Sequence, residues 1–274
     1  MTDRAAFHDR FVAALARRTP VAVATIVRGD PLGAKLLVLP GETIGSLGGP
    51  AIDGSVVADA LDLLALERSE TRAYPNPTGQ GEIEVFLETF PPPPTLLIVG
   101  AVHVGQALCA AAKPLGFDVV VVDARAKLAT PERFPLADRI VQSWPDEALA
   151  ELEVGPSWSV AILTHDPKFD EPAILGALAT PARYIGAIGS RKTNEDRRRR
   201  LAESGISAAD LERVRAPIGL DIGATTPEEM AVSILAEIVA VRQGRTGGTL
   251  SDTSGPIRGA VPEPKPALAE TAAR

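Results

Sequence analysis

The rhythm of hydrophobic and polar positions changes near the middle of the chain. In the first ninety residues apolar positions come in short, mixed patterns. Residues 5–17, "AAFHDRFVAALAR", carry them at the spacing of an amphipathic helix. "PVAVATIV" and "KLLVLP" read as two strands joined by a loop, a hairpin-like arrangement. "GETIGSLGGPAIDG" reads as a glycine-rich loop that leads into a helix over residues 55–68, "SVVADALDLLALER". "GEIEVFLETF" alternates and closes the unit as a strand. Pro91 to Pro94 cannot continue a sheet and stiffen into an extended linker, so a domain boundary is expected there. The first domain, residues 1–90, is expected to be small and α+β.

Beyond the prolines the strands become continuous apolar runs: "TLLIVG", "DVVVVD", "RIVQ", "SVAILT" and "RYIGAIG", alternating with helices. Such runs suit a parallel sheet covered on both faces. Strand, glycine turn, helix, strand and acidic residue, in that order, open a Rossmann-like domain, here residues 95–245 with a mostly parallel sheet. "TTPEEMAVSILAEIVAVRQG" is a well-signalled helix. Thr226 caps it, Pro227 sits in its first turn, Glu229 completes a capping box and Gly244 stops it. Residues 246–274, rich in Pro, Gly, Ala, Ser and Thr, are expected to be a disordered tail. The fold class is α/β.

Composition narrows the function. With 274 residues, 45% hydrophobic, the chain is long enough for two domains with sizeable cores. A net charge of -7 argues against a nucleic-acid partner, since phosphate neutralisation needs clustered Lys and Arg. The one basic run, Arg197 to Arg200, lies beside Glu195 and Asp196 and is expected to be a solvated helix face. A single cysteine excludes an intramolecular disulfide. The start, "MTDRAAFHDRF", has no apolar signal core, and no run reaches the ~18 apolar residues of a membrane span. A soluble, cytoplasmic protein is expected.

The candidate chemistry sits at strand ends. In "LLIVGAVHVGQAL", Gly100 permits the tight turn and Gly105 lets the following helix pack close to the strand. The middle glycine of a dinucleotide loop is replaced by Val102. The helix start, with His103 and Val104, still offers free N–H groups to an anion. Asp123 ends the next strand, close to the ~20-residue spacing of a ribose-binding carboxylate, and Arg125 could meet a phosphate. A phosphate-bearing ligand is favoured over an empty Rossmann loop. Three further loops follow strands: Thr164, His165 and Asp166; Gly189, Ser190 and Arg191; Gly219 and Asp221. Each has a local reading, with Asp166 and Ser190 as helix caps and Arg191 in a surface ion pair. Together with His103 they suggest one crevice outside the carboxyl ends of the strands. In the first domain Gly45, Ser46, Gly48, Gly49 and Asp53 form either an anion-binding concavity or a plain turn. His8, His103 and His165 have no zinc spacing, and no nucleophile elbow or Walker A loop is present. Cys109 reads as a buried, inert thiol. No catalytic residue and no metal site is assigned.

Together, "GSLGGPAID", "LLIVGAVHVGQAL", "VVVVDAR", "LTHDPKFD", "YIGAIGSRKT" and "PIGLDIGATTPEEMAVSILAEI" resemble the XdhC/CoxI accessory proteins of molybdenum hydroxylases, over about residues 10–245. The resemblance implies a chaperone that binds molybdenum cofactor, as molybdopterin or its cytidine dinucleotide. Such a chaperone holds the cofactor while a cysteine desulfurase sulfurates it and passes it to an apo molybdenum hydroxylase. A homodimer is implied as well. On this reading the pterin phosphate sits against the Gly100–Gly105 loop and Asp123 and Arg125 meet the distal part of the ligand. His165, Ser190, Arg191 and Asp221 line the crevice, and Gly45 to Asp53 close it. Two departures from the family pattern stand out. Val102 replaces a glycine. "GGPAID" replaces a G-G-G-C-x-E pattern, so that Ala51 stands where the family has a cysteine. No thiolate can act there, and sulfur would have to pass from a partner directly to the bound cofactor. Two other readings stay open. One is an NAD(P)-dependent oxidoreductase with His103 or His165 as acid or base. The other is a pure interaction protein with an empty Rossmann domain.

Overall fold

A computed structural model describes residues 4–77, 79–254, 257 and 263–264. The chain divides into two compact units, Met1–Pro94 and Thr95–Arg274. The first holds α1 (Arg4–Ala16), β1 (Val21–Arg28), β2 (Lys35–Leu39), β3 (Glu42–Gly45), α2 (Pro50–Leu66), β4 (Glu70–Pro75) and β5 (Glu82–Phe90). Its five strands pair antiparallel in the order β3-β2-β1-β5-β4. Alternation along β1 separates two faces. Ala22, Ala24 and Ile26 pack with Val56, Ala60 and Leu63 of α2, while Val21 and Val23 pack with Ala14 of α1.

Here the structure departs from the pattern reading in two ways. α2 begins at Pro50, five residues before the expected start. Proline suits the first helical position, where its missing N–H is not needed. Gly54 inside the first turns disguised that start. The two polar strands β3 and β4 were also missed, because "ETIG" and "ETRAYP" at the sheet edges bury too little to alternate.

The second unit contains β6 (Thr95–Val99), α3 (His103–Ala112), β7 (Asp118–Val122), β8 (Arg139–Val141), α4 (Pro145–Glu151), β9 (Trp158–Ile162), α5 (Pro167–Leu178), β10 (Tyr184–Ala187), α6 (Arg191–Glu203), α7 (Ala208–Glu212), β11 (Val214–Arg215) and α8 (Pro227–Arg242). These strands form a six-stranded sheet whose pairings are all parallel, in the order β11-β10-β9-β6-β7-β8. With β6 as the first strand, that is the 3-2-1-4-5-6 order of a Rossmann domain, read from β8. The switch point lies between β6 and β9. Leu96 and Ile98 of β6 face α3 and α8, while Leu97 and Val99 face α4 and α5. The fold is thus α/β, with an antiparallel sheet first and a parallel Rossmann-like sheet second.

α8 has the expected capping box, with the Thr226 and Glu229 side chains and backbones bonding reciprocally. The basic run is a correction. Arg197 is buried against Asp170, with side-chain exposures of 5% and 1%, so only part of that run is a solvated face. The residue spacing did not reveal that Arg197 points inward, because its acidic partner lies 27 residues away on α5. Of the tail expected from residue 246, the described part contains a 3-10 turn, Leu250–Asp252, and a short antiparallel pairing of Thr253–Ser254 with Glu263–Pro264. The rest lies outside the described residues. No helix among the described residues is long and apolar enough to cross a membrane.

Candidate functional site

The loop between β6 and α3 is built around two glycines. Gly100 has φ +113°, and its N–H donates to the Val122 carbonyl at 2.8 Å. A Cβ at Gly105 would lie 2.7 Å from the Gly100 carbonyl oxygen, so only glycine lets α3 approach this closely. Val102, in place of the middle glycine, is the N-cap with ordinary extended backbone, φ -93° and ψ 177°. Its side chain packs on the hydrophobic core. Replacing that glycine therefore needs no strained backbone. No side chain caps α3, whereas Asp166, Ser190 and Thr226 cap α5, α6 and α8. Free N–H groups and the positive end of the helix dipole are left at the switch point. His103 is exposed there and Val104 is half-buried against the core.

Asp123 and Arg125 brace this loop. The buried Asp123 carboxylate accepts from Ala101 N–H at 2.8 Å and from Arg125 N–H at 2.9 Å. It also receives Nε and Nη2 of the Arg125 guanidinium at 2.9 and 2.7 Å. Burial pushes its pKa up, but these donors outweigh it and hold the carboxyl below its ordinary value. Arg133 grips the other side of the loop, donating Nη2 to the Ala101 carbonyl at 3.2 Å. Arg125 in turn lies 5.7 Å from the ring centre of Phe169, which stacks on Trp144. Trp144, Phe169 and Arg133 were not singled out from the sequence. The one available signal was "SWPDE", a tryptophan between a strand and a proline-started helix.

The strand-end residues separate into two groups. Thr164 and Asp170 share a short hydrogen bond inside the unit, and Asp166 accepts from Lys168 N–H at 3.0 Å as the α5 cap. These side chains are engaged locally. The second group lines two neighbouring cavities. One, about 440 Å³, has Gly189, Arg191, Gly219 and Asp221 in its wall. The other, about 410 Å³, has His165, Gly189 and Ser190. Ile188, Gly189 and Met230 belong to both. Ser190 also caps α6 through Thr193 N–H at 3.1 Å. Arg191 and Asp221 approach to 3.9 Å and are 84% and 91% exposed, a weak surface contact that leaves the guanidinium available. The floor is rigid. Glu237 accepts from Gly219 N–H at 2.8 Å and from the Tyr184 hydroxyl at 2.5 Å. The wall is fixed by Arg197, which donates to the Ile188 carbonyl at 3.2 Å.

In the first unit, Asp53 accepts from Leu47 N–H at 2.7 Å and Ser46 accepts from Gly48 N–H at 3.2 Å. Gly45 ends β3 and Gly49 is the N-cap of α2. Two amides of this loop are therefore already met by its own side chains, and Asp53 supplies a carboxylate to the first turn of α2. Cys109 is buried in α3, where burial raises its thiol to about 11. Among the described residues no group of three or more His, Cys, Asp or Glu side chains is placed to hold a metal ion.

Parallel order and a glycine turn at the switch point define a Rossmann domain. More narrowly, the family model "XdhC Rossmann domain" matches residues 96–238, and "XdhC and CoxI family" matches residues 14–75. The chain belongs to the XdhC/CoxI family. It is 31% identical over 253 residues to the uncharacterized protein YqeB of Escherichia coli K12, covering 86% of this chain and 46% of that one. It is 32% identical over 159 residues to a probable xanthine dehydrogenase subunit of Bacillus subtilis 168, covering 58% and 46%. It is 33% identical over 95 residues to the molybdenum cofactor insertion chaperone PaoD of E. coli K12, covering 35% and 30%. The chain spans less than half the length of these relatives.

Proposed function

We propose that the second unit holds molybdenum cofactor as cargo and that the chain delivers it to an apo molybdenum hydroxylase of the xanthine dehydrogenase type. The observation that carries this reading is the uncapped N-terminus of α3 at the switch point, on the same carboxyl edge of the sheet as the loops that line the two cavities. The terminal phosphate of molybdopterin binds the amides of α3, as anions do at helix N-termini. The pterin lies toward β9 and β10, where Arg191, His165 and Ser190 supply hydrogen-bonding groups and Gly189 and Gly219 keep the walls low. Cavities of this size suit a small planar ligand. PaoD, named as a cofactor insertion chaperone, and the relative named for xanthine dehydrogenase support the same assignment. Sulfuration by a cysteine desulfurase while the cargo is held, and a homodimeric state, belong to the same proposal.

The test is purification without air from a host making molybdenum cofactor, followed by oxidation and fluorescence assay of released pterin. About one pterin per chain is expected. His103→Asp provides the specific control. A carboxylate at the first position of α3 favours the helix by ~0.3–1 kcal/mol yet repels a phosphate, so thermal stability holds while pterin falls tenfold or more. Arg191→Ala, at an exposed side chain, is expected to lower pterin without unfolding the unit. Absence of pterin, with clear thermal stabilisation by NAD(P), would replace this reading with an NAD(P)-dependent oxidoreductase.

A further inference from the structure

The sequence pattern did not mark the ring cluster beside the loop, and the cargo reading does not use it. Trp144 is the N-cap of α4 and Phe169 lies in the first turn of α5. Their rings stack with centres 4.9 Å apart and planes 16° from parallel. Lys168 Nζ stands 5.2 Å from the Trp144 ring centre, and Arg125 stands over Phe169. Aromatic residues make up only 4% of this chain, yet Trp144 remains 36% exposed.

The cluster connects to the glycine loop through direct contacts. Ala101 N–H donates to Asp123, Asp123 holds Arg125 through two guanidinium bonds, and Arg125 reaches Phe169. Around the carboxyl end of β6 stand the free amides of α3, a carboxylate and guanidinium after β7, and a ring pair that joins the loop after β8 to the helix after β9, the strand on the other side of β6. These groups match phosphate, ribose and base. We propose that Trp144 and Phe169 form a stacking platform for the planar base of a nucleotide-bearing ligand whose phosphates lie on α3. The proposal rests on the reading of α3 as an anion site and adds the far end of the ligand. Two cations at the rings disfavour a cationic guest and favour a base that brings phosphates with it. A base stacks on an aromatic ring whatever its edge, so cytidine and adenine nucleotides both qualify. A cargo carrying cytidine would occupy the whole edge, whereas molybdopterin alone would leave the rings bare.

The full chain provides its own probe. The other tryptophan, Trp158, starts β9 at the opposite edge of the sheet, so Trp158→Phe leaves Trp144 as the sole indole reporter. CMP and AMP are expected to quench it saturably, while ribose 5-phosphate and pyrophosphate leave it unchanged. By calorimetry on the otherwise native chain, Trp144→Leu should weaken CMP or AMP about tenfold, and Trp144→Phe should retain most of the affinity. Pyrophosphate should bind all three proteins alike. Equal nucleotide affinity for the native chain and the Leu variant would overturn the platform, as would a Trp144 signal that no nucleotide changes. Pterin recovered from protein whose Trp144 ignores nucleotides would sink the platform and leave the cargo reading intact. Nucleotide stacking in protein that never yields pterin would uphold the platform and remove the molybdenum cargo. The ratio of CMP to AMP affinity identifies which nucleotide the site takes.

Discussion

At the scale of single residues, the carboxylate of Asp123 controls the shape of the loop. Its position at the end of the second parallel strand was legible from spacing, and its partners were not. In the structure it is saturated by Ala101, by the Arg125 backbone and by the Arg125 guanidinium. A ribose hydroxyl at this position would have to replace one of those donors, and the guanidinium is the movable one. Asp123→Asn keeps an acceptor for Ala101 but turns an amide toward Arg125, so it is expected to lose about 1–3 kcal/mol at pH 7. The folded carboxyl titrates below its ordinary value of 3.8, so the ionised form is the one folding favours. The stability it contributes is full above that ordinary value and disappears as pH falls through the lower folded one. Urea midpoints of the two proteins should therefore differ from pH 7 down to about 4, begin to converge below 3.8 and meet once pH has fallen through the lower folded value. A gap that persists unchanged into acid would mean that shape, rather than charge, is what the substitution removed.

At the scale of elements, the wall of the crevice depends on a buried ion pair between two helices. Arg197 of α6 meets Asp170 of α5 at 2.7 Å, and the same guanidinium reaches Asn194 at 2.6 Å and the Ile188 carbonyl. Removing one partner strands the other charge. Arg197→Met is expected to cost about 3–5 kcal/mol, and adding Asp170→Asn should recover a large part. A double-mutant cycle by urea unfolding measures that recovery, and purely additive losses would show that the pair is not coupled. This pair also marks where sequence reading stops. Strands buried on both faces, the capped α8 and the glycine turn announce themselves through local pattern. Arg197 gave no such sign, because what turns it inward is a residue on another helix. The edge strands β3 and β4 escaped for the opposite reason, since they bury too little to imprint a period. The strand-end cavities were anticipated as loops following apolar runs. The ring pair was not, because Trp144 and Phe169 lie far apart in sequence and meet only once α4 and α5 pack.

At the scale of the whole molecule, the chain's one thiol lies inside the core that joins α3 to α8. Cys109 packs among Leu108, Ala112, Ile234 and Ile238, and burial holds its pKa at about 11. Reactivity follows the thiolate and its access. At pH 8 a thiol of that pKa is ionised in roughly one molecule in a thousand, and that one is shielded. Native protein is therefore expected to resist iodoacetamide at pH 8 for as long as urea-unfolded protein takes to label completely. Labelling of the native chain would have to follow opening of the unit, and so would slow further when pterin is bound. Under the cargo reading this outcome decides the route of sulfur. A chain with Ala51 in the first turn of α2 and its single cysteine sealed in a helix core carries no persulfide, so a sulfur atom would pass straight from the donor to the held cofactor. Stoichiometric labelling of the folded protein would reopen a relay through Cys109. The same measurement on an Ala51→Cys variant sets the reference, since a thiol restored at that exposed position should label at once.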